Sequence, residues 1–273
     1  MIVQDFKPER DFKVNDNVTM DDLKRICESN ETITVEPKRY NLKDACIRVH
    51  LGNNIFGSLP FNEVSLDGLN DEEIVPVQVK AVMRKKNIRC KITSIKGTEI
   101  LLSRKSNLEE VFNKVSKIER GVFNAMVENV GKYNVFFDIA EGVCAYCDVS
   151  QLSRVYLNDA RDWISNGMHI RVKVTKTSES DHLIWCSAKK AAFGDYSRIK
   201  PGTKVVAKVG NEIRDNDGTI TGYFVEITPA ISGIADIRVD VSETFVYPKL
   251  GDKIRCYVRN VKPKERRIKL YID

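Results

Sequence analysis

The chain has 273 residues, 42% hydrophobic and 30% charged, a balance that excludes a disordered polymer and leaves room for one large domain or several small ones. Its apolar runs, such as VFFDIA, are too short to cross a bilayer, and the charged start MIVQDFKPERDFKVND reads as neither signal peptide nor membrane anchor, so a cytoplasmic protein with no membrane partner is expected. A net charge of +6 fits a polyanionic partner, but 44 basic against 38 acidic residues decide little before their positions are known.

In chain order, residues 1–31 read as a helical N-terminal extension. TMDDLKRICES has Thr19 placed to cap a helix and Asp22 three residues on. Residues 32–105 hold TITVEPKRY, ACIRVHLG, IFGSLPFNEV, VPVQVKAV, NIRCKITSI and EILLSRK, read as strands from their period-two alternation and β-branched content. SNLEEVFNKVSKI, residues 106–118, begins with Ser106 and Glu109 at capping-box spacing. Its Leu108, Val111, Phe112, Val115 and Ile118 form one apolar stripe, as in a packed connector helix.

Residues 119–191 give strands GVFNAMVENV, YNVFFDI and VCAYCDV, a turn SQLS, a helical segment LNDARDWISNG, then strands HIRVKVTKT and HLIWCSAKK. Residues 199–273 repeat the order with TKVVAKVG, TGYFVEI, SGIADI, DKIRCYVRNV and RRIKLYI. Five short strands per block point to small closed barrels, because closure removes sheet edges.

The block ends ILLSRK (to Lys105) and LIWCSAKK (to Lys190) share an aliphatic pair, a Ser and basic residues. Asn134-Val135-Phe136-Phe137 and Gly222-Tyr223-Phe224-Val225 occupy the same place in their blocks. Each is followed by a short aliphatic strand, ending at Asp148 and Ile237. This grammar resembles the RNA-binding repeat of ribosomal protein S-one. The resemblance implies a mainly β protein: three tandem five-stranded OB-fold barrels joined by short helices. It also implies single-stranded RNA, mRNA in particular, as partner, and work at the ribosome in translation. In that family the RNA surface carries an aromatic before the Gly, a Phe on the second strand and a His on the third. Carried over by position, block two offers Tyr133 and Phe136, with Asp148 in place of the His. Block three offers Phe224, flanked by Thr221 and Asp236. Block one offers no aromatic on the corresponding strand, where Arg48 and His50 alternate with aliphatic residues.

Tyr133 and Phe136 differ by an odd number, so a regular strand would set them on opposite faces. A bend at Asn134 is expected to bring both to the stacking surface, with Phe137 in the core. Lys253, Arg255, Arg259, Lys262, Lys264, Arg266, Arg267 and Lys269 crowd the last two strands and their hairpin, a pattern suited to phosphate neutralisation or to protecting a sheet edge. Arg84, Lys85, Lys86, Arg89 and Lys91 form a second basic group. Arg171 and Lys173 share one face of their strand, with Lys176 expected on the other. Lys132, Arg154 and Arg238 complete the RNA-binding candidates.

Cys144-x-x-Cys147 lies inside a strand with no second pair of ligands, and the seven cysteines are expected to be reduced thiols rather than a metal or redox site. SLDGLNDEE lacks calcium-loop spacing. No P-loop, dinucleotide fingerprint or nucleophile–base set is present. A non-catalytic protein without cofactor or metal is therefore expected. The alternative is a protein-docking scaffold of degenerate barrels in a larger complex, favoured by Asp148, Asp236 and the bare first block.

Overall fold

The computed structural model describes residues 3–66, 75–237 and 245–273. Arg238 and most of SLDGLNDEE lie outside the described residues. The strands form where alternation dominates, most of them burying alternate side chains, although Phe137, Asp138, Ile139 and Ala140 are buried in succession. β1 (Thr32–Asn41), β2 (Cys46–Gly52), β3 (Ile55–Pro60), β4 (Ile88–Lys96) and β5 (Glu99–Ser103) close into a barrel in the order β1-β2-β3-β5-β4. β6 (Val122–Val130), β7 (Asn134–Ala140), β8 (Val143–Asp148), β9 (His169–Ser178) and β10 (Leu183–Ser187) make a second. β11 (Lys204–Arg214), β12 (Ile220–Thr228), β13 (Ile231–Asp236), β14 (Lys253–Lys262) and β15 (Arg267–Ile272) make a third. In each barrel the third and fifth strands run parallel and close the cylinder, while the other pairings are antiparallel. Each is filled separately: the first around Ile47, Val49 and Leu51, the second around Phe123, Phe137 and Ile139, the third around Tyr223, Val225 and Leu270. The mainly β class and the five-stranded barrels are as the sequence predicts.

Three local expectations need correction. VPVQVKAV is not a strand: α2 (Val77–Met83) starts directly after Pro76 and buries Val79 and Val82. Proline at the N-cap lacks the N–H that a strand would need and has φ preset for a helix start, and Val79 and Val82, three residues apart, share a face only in a helix. The connector helix, α3 (Lys105–Ser116), starts earlier than the Ser106 box implies, with no side-chain cap from Arg104. Ser103 acts instead, its Oγ accepting from the Ser106 N–H at 2.9 Å. LNDARDWISNG gives only a single 3-10 turn, Ala160–Asp162, nucleated by Asp159, whose carboxylate accepts from Arg161 N–H. The Thr19 capping box is present in full at the start of α1 (Met20–Ser29).

The residues before α1 lie between the first two barrels. Val3 N–H bonds to Val122 O, Glu141 N–H to Lys7 O, and Asn87 donates to Phe12 O. At the centre of this seam Glu9 is buried. Its carboxylate accepts from Arg104 Nε and Nη2 (both 2.9 Å), from the Arg89 backbone N–H (2.8 Å) and from Lys85 Nζ (3.2 Å). Its own N–H donates to Asp138 of the second barrel at 2.7 Å. The β7–β8 turn closes against this cluster with Glu141 and Gly142 both at positive φ, 45° and 96°, the I′-like geometry that favours glycine. A Cβ on Gly142 would stand 2.5 Å from the Arg104 guanidinium.

Candidate nucleic-acid interface

Barrel registers align one outward-facing row in each block. In the second barrel Phe136 pairs with Tyr146 across β7–β8, Tyr146 with Trp185 across β8–β10, and Trp185 with Lys176 across β10–β9. The residues flanking each aromatic, Val135 and Phe137, Ala145 and Cys147, Ile184 and Cys186, are all buried, so the three rings share the outer face. Phe136 and Tyr146 meet edge to face with centroids 5.7 Å apart, and Lys176 Nζ sits 4.8 Å from the Trp185 ring centroid. The equivalent row of the third barrel is Phe224–Ile234–Lys269. That of the first is Arg48–Ser58–Leu101.

Tyr133 is 58% exposed. It stands in the turn before β7, held by the Val149 N–H bonding to its carbonyl at 2.8 Å. The bend therefore precedes Asn134, and strand parity does not apply to Tyr133. Lys132 Nζ lies 5.0 Å from the Tyr133 ring centroid, and hydrogen bonding to the Tyr133 side chain, then its charge, holds the ammonium pKa above the ordinary lysine value. Phe137 is in the core. Asp148 is occupied by capping its own turn: its Oδ1 accepts from the Ser150 N–H at 2.8 Å. Arg154 is exposed close to Lys189, whose pKa is lowered first by burial and then by that like charge.

Arg171 and Lys173 project outward from β9, as expected. Lys176 does not fall on the opposite side. A register irregularity between Trp185 and Cys186 inserts an extra β9 residue and returns Lys176 to the outer face beside Trp185.

The basic residues of the third barrel divide. Lys262, Arg266, Arg267 and Lys269 line a groove with Phe224, which is 45% exposed. Arg259 lies over the Tyr271 ring. Lys253 and Arg255 sit farther along β14, opposite Lys208 and Val206, and do not join Phe224. In the first barrel most of the basic group is already engaged: Arg89 with Glu141 at 2.9 Å, Lys91 with Glu110, Lys85 with Glu9 and Glu128.

Cys144 and Cys147 lie on opposite faces of β8, one beside Tyr146 and the other in the core, so they cannot share a metal ion. Burial pushes the Cys144 thiol up to about 12, which removes thiolate chemistry.

Tyr146 and Trp185 are absent from the sequence candidates, and Lys176 is expected there on the wrong face. Tyr146 could have been found from its parity with Asp148, and Trp185 from the alternation of LIWCS, but their meeting depends on a parallel pairing between distant segments.

No family model matches the chain. Small ribosomal subunit protein bS1 of Leuconostoc lactis is 27% identical over 205 residues, covering 68% of this chain and 46% of its own. Other bS1 proteins, from Bacillus and Staphylococcus, match at 22–27%. The chain is similar to proteins of the ribosomal protein S-one family. It spans about half the length of the S-one relatives it matches. The S-one-like stretch also matches 4-hydroxy-3-methylbut-2-enyl diphosphate reductase of Clostridium acetobutylicum, 26% identical over 66% of this chain but only 29% of that protein. Among solved structures, a multidomain protein with nucleic acid binding domains from Streptococcus pneumoniae aligns over 89% of this chain and 73% of its own, at 14% identity and a TM-score of 0.29, too loose to bear on function. Among the described residues no helix is long and apolar enough to cross a membrane.

Proposed function

We propose that this S-one-type protein binds single-stranded RNA without catalysis, in the cytoplasm, on mRNA or at the ribosome. The observation that carries the reading is the Phe136–Tyr146–Trp185 row with Lys176 at its end. Adjacent aromatic faces on one sheet offer stacking surfaces for successive bases, worth about 1–3 kcal/mol each, and a flanking cation supplies phosphate attraction. Phe224 with Lys262, Arg266 and Lys269 offers a second, more electrostatic subsite on the third barrel. Such surfaces read strand character rather than base edges, so little sequence preference is expected.

The test is fluorescence anisotropy of a short unstructured RNA at two salt concentrations, with the wild-type chain and with Phe136→Ala plus Trp185→Ala. The expected result is salt-sensitive binding that weakens at least about tenfold in the double variant, given the stacking energies above. Absence of binding at low salt would sink the proposal. A protein-docking role is favoured by one observation: the first barrel's Arg48–Ser58–Leu101 row contains no aromatic, and the neighbouring Phe56 ring is covered by the Arg48 guanidinium, 4.5 Å from its centroid.

A further inference from the structure

A cleft of about 570 Å³ separates α2 of the first barrel from β6 of the second. Arg10 reaches it from the N-terminal segment, Lys80, Arg84, Lys85 and Lys86 come from α2 and the turn after it, and Glu128 is the carboxylate that lines it. Glu128 is already neutralised, its Oε1 lying 2.8 Å from Lys85 Nζ. Arg10, Arg84 and Lys86 are exposed, and no ion pair is formed by them among the described residues. The negative C-terminal end of α2 explains one basic residue after it. It does not explain Arg10, which belongs to a different segment and converges on the same space.

The cleft is continuous with the aromatic face. Ala81, Lys85 and Glu128 line it and also line the groove that contains Phe136, Tyr146 and Leu183. A strand whose bases lie on Phe136 and Tyr146 therefore has a basic channel next to it, across a shared wall.

We infer that this inter-barrel cleft holds the phosphate backbone of the strand whose bases stack on the second barrel. The inference rests on the RNA-binding reading above. Arg10 and Arg84 present guanidinium forks suited to phosphate oxygens, and Lys86 adds a point charge. None of the lining groups is an aromatic face, so the contact is sequence-indifferent. The first barrel then contributes through charge on its α2 side, whereas its Arg48–Ser58–Leu101 row contains no aromatic and the nearby Phe56 ring is covered by Arg48.

The experiment compares the wild-type chain, Arg84→Gln plus Lys86→Gln, and Phe136→Ala plus Trp185→Ala. Each is titrated against two labelled oligouridylates over a series of salt concentrations. One is about 6 nucleotides, within the site size of a single barrel, and the other about 18. Both cleft residues are exposed, and thermal melting checks that the fold is kept. With the long RNA, the cleft variant should bind about tenfold more weakly at low salt, with a log–log salt slope shallower by about 0.7 for each phosphate that is no longer neutralised. With the short RNA it should bind as the wild type does. An unchanged affinity and slope on the long RNA, while the aromatic variant is weakened, overturns the cleft and leaves the proposed function standing. Equal losses on both lengths also overturn it, because they would reflect net charge alone. A wild-type chain that binds neither RNA overturns both readings.

Discussion

Asp138 is buried in the seam between the first two barrels, with Oδ1 accepting from Gly142 N–H at 3.0 Å and Oδ2 from Glu9 N–H at 2.7 Å. Burial is the main force on its acidity and raises the pKa from 3.8 to about 7. Lys85 opposes the rise and the Glu9 charge adds to it. A carboxyl harder to ionise when folded costs stability as pH rises: the unfolded chain gives up the proton first, so the loss runs from near 3.8 up to about 7. Glu9 works in the other direction. Its burial favours the neutral acid, but Arg104 and Lys85 outweigh this and hold its pKa below the usual value, so its contribution is lost only as pH falls into the acid range. Asn at position 138 resembles the protonated acid and has no proton to lose. In urea unfolding from about pH 5 to about pH 8, any advantage of wild type over Asp138→Asn should shrink or reverse as pH rises. A difference constant with pH would mean that Asp138 ionises in the folded chain as freely as in the unfolded one.

At the scale of elements, period-two alternation is enough to locate the strands of all three barrels, because each strand turns one face into its barrel's core. It misleads where burial can be met in two ways: Val75, Val77, Val79 and Val82 suit a strand as far as Val79 and a helix thereafter, and Pro76 decides for the helix. The interface is legible only in part. Phe136 and Phe224 stand where the resemblance puts them, but Tyr146 and Trp185 meet through a pairing set by barrel closure, and Lys176 faces outward through a bulge that alternation cannot reveal. A similar irregularity in β11, between Val209 and Glu212, brings Gly210 against the second barrel. A Cβ there would lie 2.4 Å from Val155 Cγ1 and 2.8 Å from the Phe224 carbonyl oxygen. The valine can rotate, but the carbonyl belongs to the β12 backbone and cannot move alone. Gly210→Ala should cost about 1–3 kcal/mol by overpacking. It should also disturb Phe224 enough to weaken the proposed RNA binding through the third barrel, read by denaturant melts and anisotropy on the same variant. Stability equal to wild type would show that the contact between these barrels is loose enough to absorb a methyl group.

For the whole molecule, the two seams differ in kind. The second and third barrels touch through packing and a few polar contacts, such as Lys208 Nζ donating to Trp163 O with its ammonium 4.0 Å from that ring's centroid. The first and second are joined by buried charge, and Glu9 connects them: Arg104, Arg89 and Lys85 approach from one side and Asp138 from the other. Nothing in KPERDF marks this glutamate as different from its exposed neighbours, since its partners lie about 80 to 130 residues away. Glu9→Ala would leave the Arg104 guanidinium buried without its carboxylate, and breaking such a pair from one side costs about 3–5 kcal/mol. The loss should be confined to the seam. Amide hydrogen exchange should quicken around Arg89, Arg104 and the β7–β8 turn, whereas β11–β15, which are filled by their own core, should keep wild-type protection. Removing both charges, Glu9→Gln with Arg104→Met, should cost less than Glu9→Ala, because no uncompensated ion is left inside. If exchange quickened equally in all three barrels, the chain would be one cooperative unit, and the seam would be no weaker than the barrels it joins.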